Sequence, residues 1–321
     1  MMNNYRPIVS LILLITFLSC SKEETEVVEP AQSTLYDLVA NSMNYSYLEA
    51  ALRMTNLDEV LGGDDVYTLY APDNNAFIGF LMRSGFNSLE EVPRETLKQI
   101  LLNHVMIGQM EYRDFKSGYF QTAATSAVNG NAMSIYINQV NMRVTLNGES
   151  RIVQGNVRAS NGIIHVVDRI IPLPSLVTFV LADPLLYNLA VALTRNDLTV
   201  DFTAVLSTQN GTSPAPFTVF APNNLAFLDL LTELGVDRLS AIDEPTLNST
   251  LNHHVVGEIN TLSSDLSDNL LINTLEGEIT ANVTGGASLT DGNNRVSNII
   301  VVDVQANNGV LHIIDKVILP F

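Results

Sequence analysis

Apolar residues fall into distinct runs along the chain. Near the N-terminus Ile8 to Leu18 is apolar almost throughout. A bilayer span takes roughly 20 such residues, so this run reads as a signal-peptide core rather than an anchor helix. From Leu35 to Leu52 apolar residues recur with the helical period, and Asn41 to Asn44 interrupt it. Tyr67 to Ala71 predicts a short strand that Pro72 stops, because proline has no N–H for the ladder. Asp73 or Asn74 then caps a helix with Phe77, Phe80 and Leu81 on one face. The next helix carries Leu97, Ile100, Leu101 and His104 at i, i+3, i+4 and i+7. After it the period falls to two through Ile135, Ile137, Val140, Met142, Val144 and Leu146. An apolar strand from Ile163 to Ile171 closes the segment. Helices followed by mostly antiparallel strands predict an α+β domain.

The pattern then returns. Thr68 to Phe77 (TLYAPDNNAF) recurs as Thr218 to Phe227 (TVFAPNNLAF), 150 residues on. LLNHV from Leu101 recurs as LNHHV from Leu251, at the same offset of 150. NGIIHVVDRI from Asn161 recurs as NGVLHIIDKV from Asn308, at an offset of 147. Three motifs in one order with near-constant spacing mark a tandem duplication. The chain divides into a leader (1–19), a tether (20–32) and two domains (33–172 and 175–321). Only Leu173 and Pro174 separate the copies, which predicts a restricted angle between them. The second copy carries a Thr/Ser/Asn/Gly-rich insertion at 207–216, a candidate contact loop. The stretch 284–298 also reads as loop. Met43, Tyr45, Tyr47 and Met54 read as core packing of the opening helices.

These motifs resemble the fasciclin (FAS1) family over nearly all of residues 31–321. Pro72, Asn74 and Phe77, and again Pro222, Asn224 and Phe227, match its first motif. His165 and His312 match its second. The resemblance implies two tandem α+β domains, each a β-sandwich or wedge wrapped by helices. It also implies a role in adhesion or matrix contact, and no catalysis. Animal members often carry Tyr-His where this chain has Asn103-His104 and His253-His254, which argues against integrin-type recognition.

Composition narrows the partners. Of 321 residues 46% are hydrophobic, enough for two packed cores. The net charge is −18, which excludes a nucleic-acid binder that must meet phosphates with clustered Lys and Arg. Residues 31–172 hold 14 acids and 10 bases; residues 173–321 hold 16 and 4, so the second domain is the more acidic. Cys20, the only cysteine, rules out disulfides and Cys-rich zinc sites. Phe17-Leu18-Ser19-Cys20 resembles a bacterial lipobox, with Phe17 where Leu is commonest. Its thiol would carry the lipid that anchors the chain to a membrane. Lys22, Glu23 and Glu24 resemble the surface-export signal of Bacteroidetes lipoproteins, and the acidic stretch to residue 32 reads as a leash.

Candidate chemistry is sparse. His104 and His254 lie on the apolar face of their helices and read as hydrogen-bonded core residues. His165-x-x-Asp168 and His312-x-x-Asp315 sit on strands, where i and i+3 face opposite sides, so neither forms a dyad. Adjacent His253 and His254 diverge by about 100° on a helix and do not make a zinc site. Asp64-Asp65 and Glu90-Glu91 read as solvated turns. No nucleophile–base set, metal site or cofactor loop is legible, so a hydrolase is disfavoured. The expected protein is a non-enzymatic surface lipoprotein on the outer membrane, facing outward. Its expected partners are an extracellular glycan, a matrix protein or an outer-membrane protein. An accessory role in a polysaccharide-uptake complex is the alternative.

Overall fold

The computed structural model describes residues 33–320. The expectations for the leader, Cys20, Lys22, Glu23, Glu24 and the tether lie outside those residues.

The first domain opens with α1 (Leu35–Ala40), α2 (Ser46–Thr55), α3 (Asp58–Leu61), α4 (Asn74–Ser84) and α5 (Arg94–Leu102). Thr34 and Asp37 form a capping box on α1: the Thr34 hydroxyl accepts from Asp37 N, and the Asp37 carboxylate accepts from Thr34 N. Asp73 caps α4 by accepting from Ala76 N at 2.8 Å, and Gly85 ends it in the left-handed conformation at φ 75°.

The strands are β1 (Tyr67–Pro72), β2 (Val105–Ile107), β3 (Gly118–Thr125), β4 (Ala132–Val140), β5 (Arg143–Leu146), β6 (Ser150–Ala159) and β7 (Gly162–Val167). They form one seven-stranded order, β2-β1-β7-β6-β5-β4-β3. Only β1 and β7 pair in parallel. Two register breaks in β6, on either side of Gln154, mark bulges that bend the sheet. Residues from both ends of the order, including Tyr70, Ile135, Val144 and Val167, therefore meet in one buried cluster. The opposite side of β1 and β7 packs Leu69, Ala71 and Ile164 against Leu35, Leu52, Phe77 and Leu97 from the helices. Being covered on both sides, β7 is buried at every position, which explains its unbroken apolar run.

The second domain repeats the plan. Its helices are α6 (Leu176–Ala182), α7 (Tyr187–Leu193), α8 (Phe202–Val205), α9 (Asn224–Leu234) and α10 (Glu244–Asn252). Its strands are β8 (Phe217–Pro222), β9 (Val255–Val256), β10 (Leu270–Asn273), β11 (Glu278–Asn282), β12 (Ser288–Thr290), β13 (Val296–Ala306) and β14 (Gly309–Ile314). The order is β10-β11-β12-β13-β14-β8-β9, with β8 and β14 parallel. The tandem α+β architecture, sheet wedge and helical cover agree with the expectation.

Five local expectations are corrected. Helices α5 and α10 stop at Leu102 and Asn252, so neither His104 nor His254 is helical; Asn103 and His253 cap the helices, and His104 N and His254 N reach back to Leu101 O and Leu251 O. The period-two run past Ile137 is two strands joined by a tight turn, with Asn141 and Met142 at φ 50° and 60°. Val140 and Met142 at that turn are 54% and 74% exposed. The closing strand ends at Val167, where its partner β1 ends at Pro72; Ile170 and Ile171 remain buried without pairing. Residues 284–298 contain β12 and the start of β13, not only loop. Among the opening-helix residues Tyr45, Tyr47 and Met54 pack on the core, but Met43 is 92% exposed.

Candidate functional site

The motif residues form a set of buried locks, repeated in both domains. The Asn-Gly pair is the tightest. Asn161 Oδ1 accepts from Leu35 N, while its Nδ2 donates to Leu61 O and Gly63 O at 2.8 and 2.7 Å. One side chain thus ties α1 and the end of α3 to the sheet. Asn308 repeats this with Leu176 N, Leu206 O and Thr208 O. A Cβ on Gly162 would lie 1.9 Å from Tyr67 O, so no other residue fits beside β1. Gly309 meets Phe217 O in the same way, at 2.2 Å.

His104 joins α5 to the end of the chain segment after β7. Its Nδ1 lies 2.7 Å from Ile100 O, and its Nε2 accepts from Ile171 N at 2.9 Å. Only the tautomer with the proton on Nδ1 satisfies both. His254 makes the same pair with Thr250 O and Ile318 N. Burial pushes both imidazoles down to about 4, so they are neutral at pH 7. His165 Nε2 donates to Met110 O at 2.9 Å, and His312 Nε2 to Thr261 O at 2.9 Å. Burial lowers these two imidazoles as well. Asp168 faces away and holds Arg151 through its N and Nε; Asp315 holds Asn298. No His–Asp dyad forms. The ring nitrogens of these four histidines are spent on backbone groups.

Asn74 does not cap α4. Its Oδ1 accepts from Tyr47 N and its Nδ2 donates to Met43 O, clipping the start of α2 to α4. Asn224 clips α7 to α9 through Asn188 N and Pro184 O. Asn223 is the true cap of α9, accepting from Ala226 N. Phe77 and Phe227 are buried beneath these clips, and Phe77 stacks on Tyr47. Pro72 and Pro222 are the last paired residues of β1 and β8, opposite Val167 and Ile314. His253 departs from the pattern. It stands where the first domain has Asn103, which donates to Ile171 O and Pro172 O. His253 instead shares a 3.0 Å hydrogen bond with Thr274, and its buried Nε2 has no partner. No group of His, Cys, Asp and Glu able to hold a metal occurs among the described residues.

The two domains are joined by more than the Leu173-Pro174 link. Tyr119 on β3 donates its hydroxyl to Asp183 at 2.9 Å and lies edge-on to Phe179 of α6, with ring centres 5.6 Å apart. Asp183 is buried and its other oxygen accepts from Leu185 N. Burial first, and the Asp183 carboxylate second, push the Tyr119 and Tyr136 hydroxyls up. Tyr136 of the first domain belongs to the helical core of the second. Buried Gln305 on β13 donates its N–H to Ser134 and accepts from Asn129. A cleft of about 520 Å³ lies at this joint, between Tyr119, Asn138, Leu185 and Val301. The Asn-Gly asparagines, Tyr119, Asp183 and Gln305 are structural determinants that periodicity does not single out. The repeated Asn-Gly was the available signal for the first pair. Nothing in a linear reading pairs Tyr119 with Asp183, 64 residues away.

Comparison with known proteins identifies the family of both repeats. The fasciclin domain family matches residues 43–174 and 186–320. Human periostin is 28% identical over 272 residues, 83% of this chain but 30% of periostin. A fasciclin-like arabinogalactan protein of Arthroderma benhamiae is 26% identical over 274 residues, 82% of this chain and 60% of that protein. The chain therefore spans less than two thirds of either relative. Among solved structures, a FAS1 domain pair from the insect cell adhesion molecule fasciclin I aligns at a TM-score of 0.48 and 19% identity. That alignment covers 85% of this chain and 96% of the insect pair.

Proposed function

Since the chain belongs to the fasciclin domain family through both of its repeats, we propose that it is an adhesion and interaction module held at the cell surface by a lipid on Cys20. Its role is to present two rigidly joined domains to an extracellular glycan or matrix protein. The observation that carries this reading is how the chemistry repeated in both domains is used. His104, His165, His254 and His312 bind backbone groups, and Asp183 and Gln305 bind the two domains together. What remains available is surface. The lipobox-like Cys20 and the acidic Ser21 to Glu29 segment supply the anchor and the leash, and Lys22, Glu23 and Glu24 the outward address.

Protease treatment of intact cells tests the surface claim. Release of the ectodomain from whole cells is expected, and Cys20→Ser should shift the protein from membrane to soluble fractions. Complete protection in intact cells would overturn surface display. Gentle-detergent purification from the native membrane then separates an autonomous adhesin, recovered alone, from an uptake-complex accessory, recovered with a stoichiometric transporter.

A further inference from the structure

The two domains differ at one place in the sheet. The strands at the two ends of the order are β2 and β3 in the first domain and β9 and β10 in the second; β9 and β10 are not paired with each other and line one cavity between them. In the first domain that gap is filled by its own side chains. Phe115 lies 5.1 Å from the His165 ring and 6.2 Å from Tyr70, with Tyr112 edge-on to it at 6.1 Å. Met110 and Phe120 pack against the same cluster.

Matched contacts identify the counterparts in the second domain. Met106 and Val256 pair with Thr68 and Thr218. Met110 and Thr261 offer their carbonyls to His165 and His312. Tyr112 and Ser263 open equivalent 3-10 turns, each N–H bound by the side chain of Asn156 or Asp303. Phe115 and Leu266 close those turns. Phe120 and Ile272 pair with Ile135 and Ile279. At each position the second domain has the smaller side chain. The sheet beneath differs as well. Gly155 leaves room for the Tyr112 ring, where a Cβ would sit 2.8 Å from it, and Val302 stands at the equivalent place on β13. The result is a groove of about 550 Å³ between Val256–Thr261 and Leu270–Asn273. Just after β10, Leu275 N donates to Val255 O of β9.

We infer that this groove binds an extended peptide segment of a partner protein, one that carries bulky apolar side chains flanked by Lys or Arg. The proposal deepens the adhesion reading by naming the partner's chemistry. Three features select that occupant. β10 is paired only on its β11 side, so its outer edge can accept a strand. The walls are apolar, with Ile259 and Leu271 50% and 59% exposed, and they include Val256, Thr261 and Ile272, the smaller counterparts of Met106, Met110 and Phe120. The surroundings are acidic: Glu258, Asp265, Asp268 and Asp303 lie on or beside the segments that bound the groove, in a domain with 16 acids and 4 bases. Those four bases pair elsewhere, Arg195 with Asp197, Arg238 with Asp237, and Arg295 and Lys316 with Glu233. The insertion loop reaches the same place, since Glu258 N donates to Pro214 O.

The test uses the intact ectodomain and a synthetic decapeptide alternating Phe or Tyr with Thr, with Lys at both ends. Saturable binding with slowed amide exchange in residues 270–273 is expected. Glu in place of the terminal Lys should weaken it at least tenfold. Thr261→Met with Leu266→Phe restores two of the five first-domain side chains and should abolish binding without lowering the melting temperature. Ile259→Lys, at an exposed wall position, is the second variant should the first misfold, and should weaken binding at least tenfold. Equal binding to wild type and both variants, or no saturable binding, would overturn the proposal. Groove-dependent uptake of palmitate or Nile red without peptide binding would also overturn it, and assign the groove to an apolar small molecule. Loss of the groove leaves the protease result untouched, so the two readings fail separately.

Discussion

The first and second domains share one frame and differ in what fills it. The frame consists of side chains bound to backbone groups: Asn161 and Asn308, His104 and His254, His165 and His312. The filling is a set of apolar side chains, large in the first domain and smaller in the second. Hydrogen bonds to the backbone admit one residue type at one place, whereas a packed cluster can lose volume at several sites and keep the fold. Duplication therefore leaves the locks intact and frees the gap between the end strands to diverge. The joint adds a second asymmetry. The β3–β4 face of the first domain is covered by α6 of the second, through Tyr119, Tyr136 and Phe179. By register Leu271 and Thr280 take the places of Tyr119 and Tyr136 in the second domain, and Leu271 is exposed.

The comparison breaks hardest at the glycines. Gly162→Ala and Gly309→Ala place a Cβ inside contact distance of a backbone oxygen, so each should prevent its own domain from folding, read by circular dichroism and calorimetry. His104→Ala and His254→Ala come next. Each leaves a buried N–H and a buried carbonyl unpaired and opens a cavity, costing about 2–4 kcal/mol. The two losses should match; a fall in melting temperature at one domain only would deny that the locks are equivalent.

Acid should act on both domains through the same residues. The unfolded imidazole titrates near 6.5, and the folded His104 and His254 near 4. The unfolded state therefore binds more protons between those values, and stability falls as pH drops from 6.5 to 4, then levels. Each histidine therefore makes the fold less stable at pH 4 than at pH 7, by an amount on the order of a few kcal/mol. Denaturant midpoints across pH 4–7 check the slope, and the Ala variants should flatten it.

Smaller effects sharpen the differences. Gln305→Ala removes bonds to Ser126 and Asn129 across the joint and should split one melting transition into two. Met43→Lys, at an exposed site, should move stability by less than about 0.5 kcal/mol.

Much of this frame is legible in the linear sequence. The capped helices, the Ala-Pro strand end and the offsets of 150 and 147 follow from local rules that each copy obeys independently. The roles of the histidines are legible too, because an imidazole among apolar neighbours must be hydrogen-bonded. Helix ends were less so: His104 continues the apolar period yet lies past the cap at Asn103. Alternation also hides turns, as Val140 and Met142 keep the period of two across a hairpin. The groove is invisible in either copy alone. It depends on pairs such as Tyr112 with Gly155, 43 residues apart, whose counterparts are Ser263 and Val302.

Hydrogen exchange of the intact ectodomain tests the filled-versus-open contrast most directly, by comparing residues 108–121 with their counterparts 259–273. The second segment lacks the packing of Met110, Tyr112 and Phe115, so its amides should exchange faster, and Thr261→Met with Leu266→Phe should slow them. Equal protection of the two segments in the unmodified protein would contradict the account.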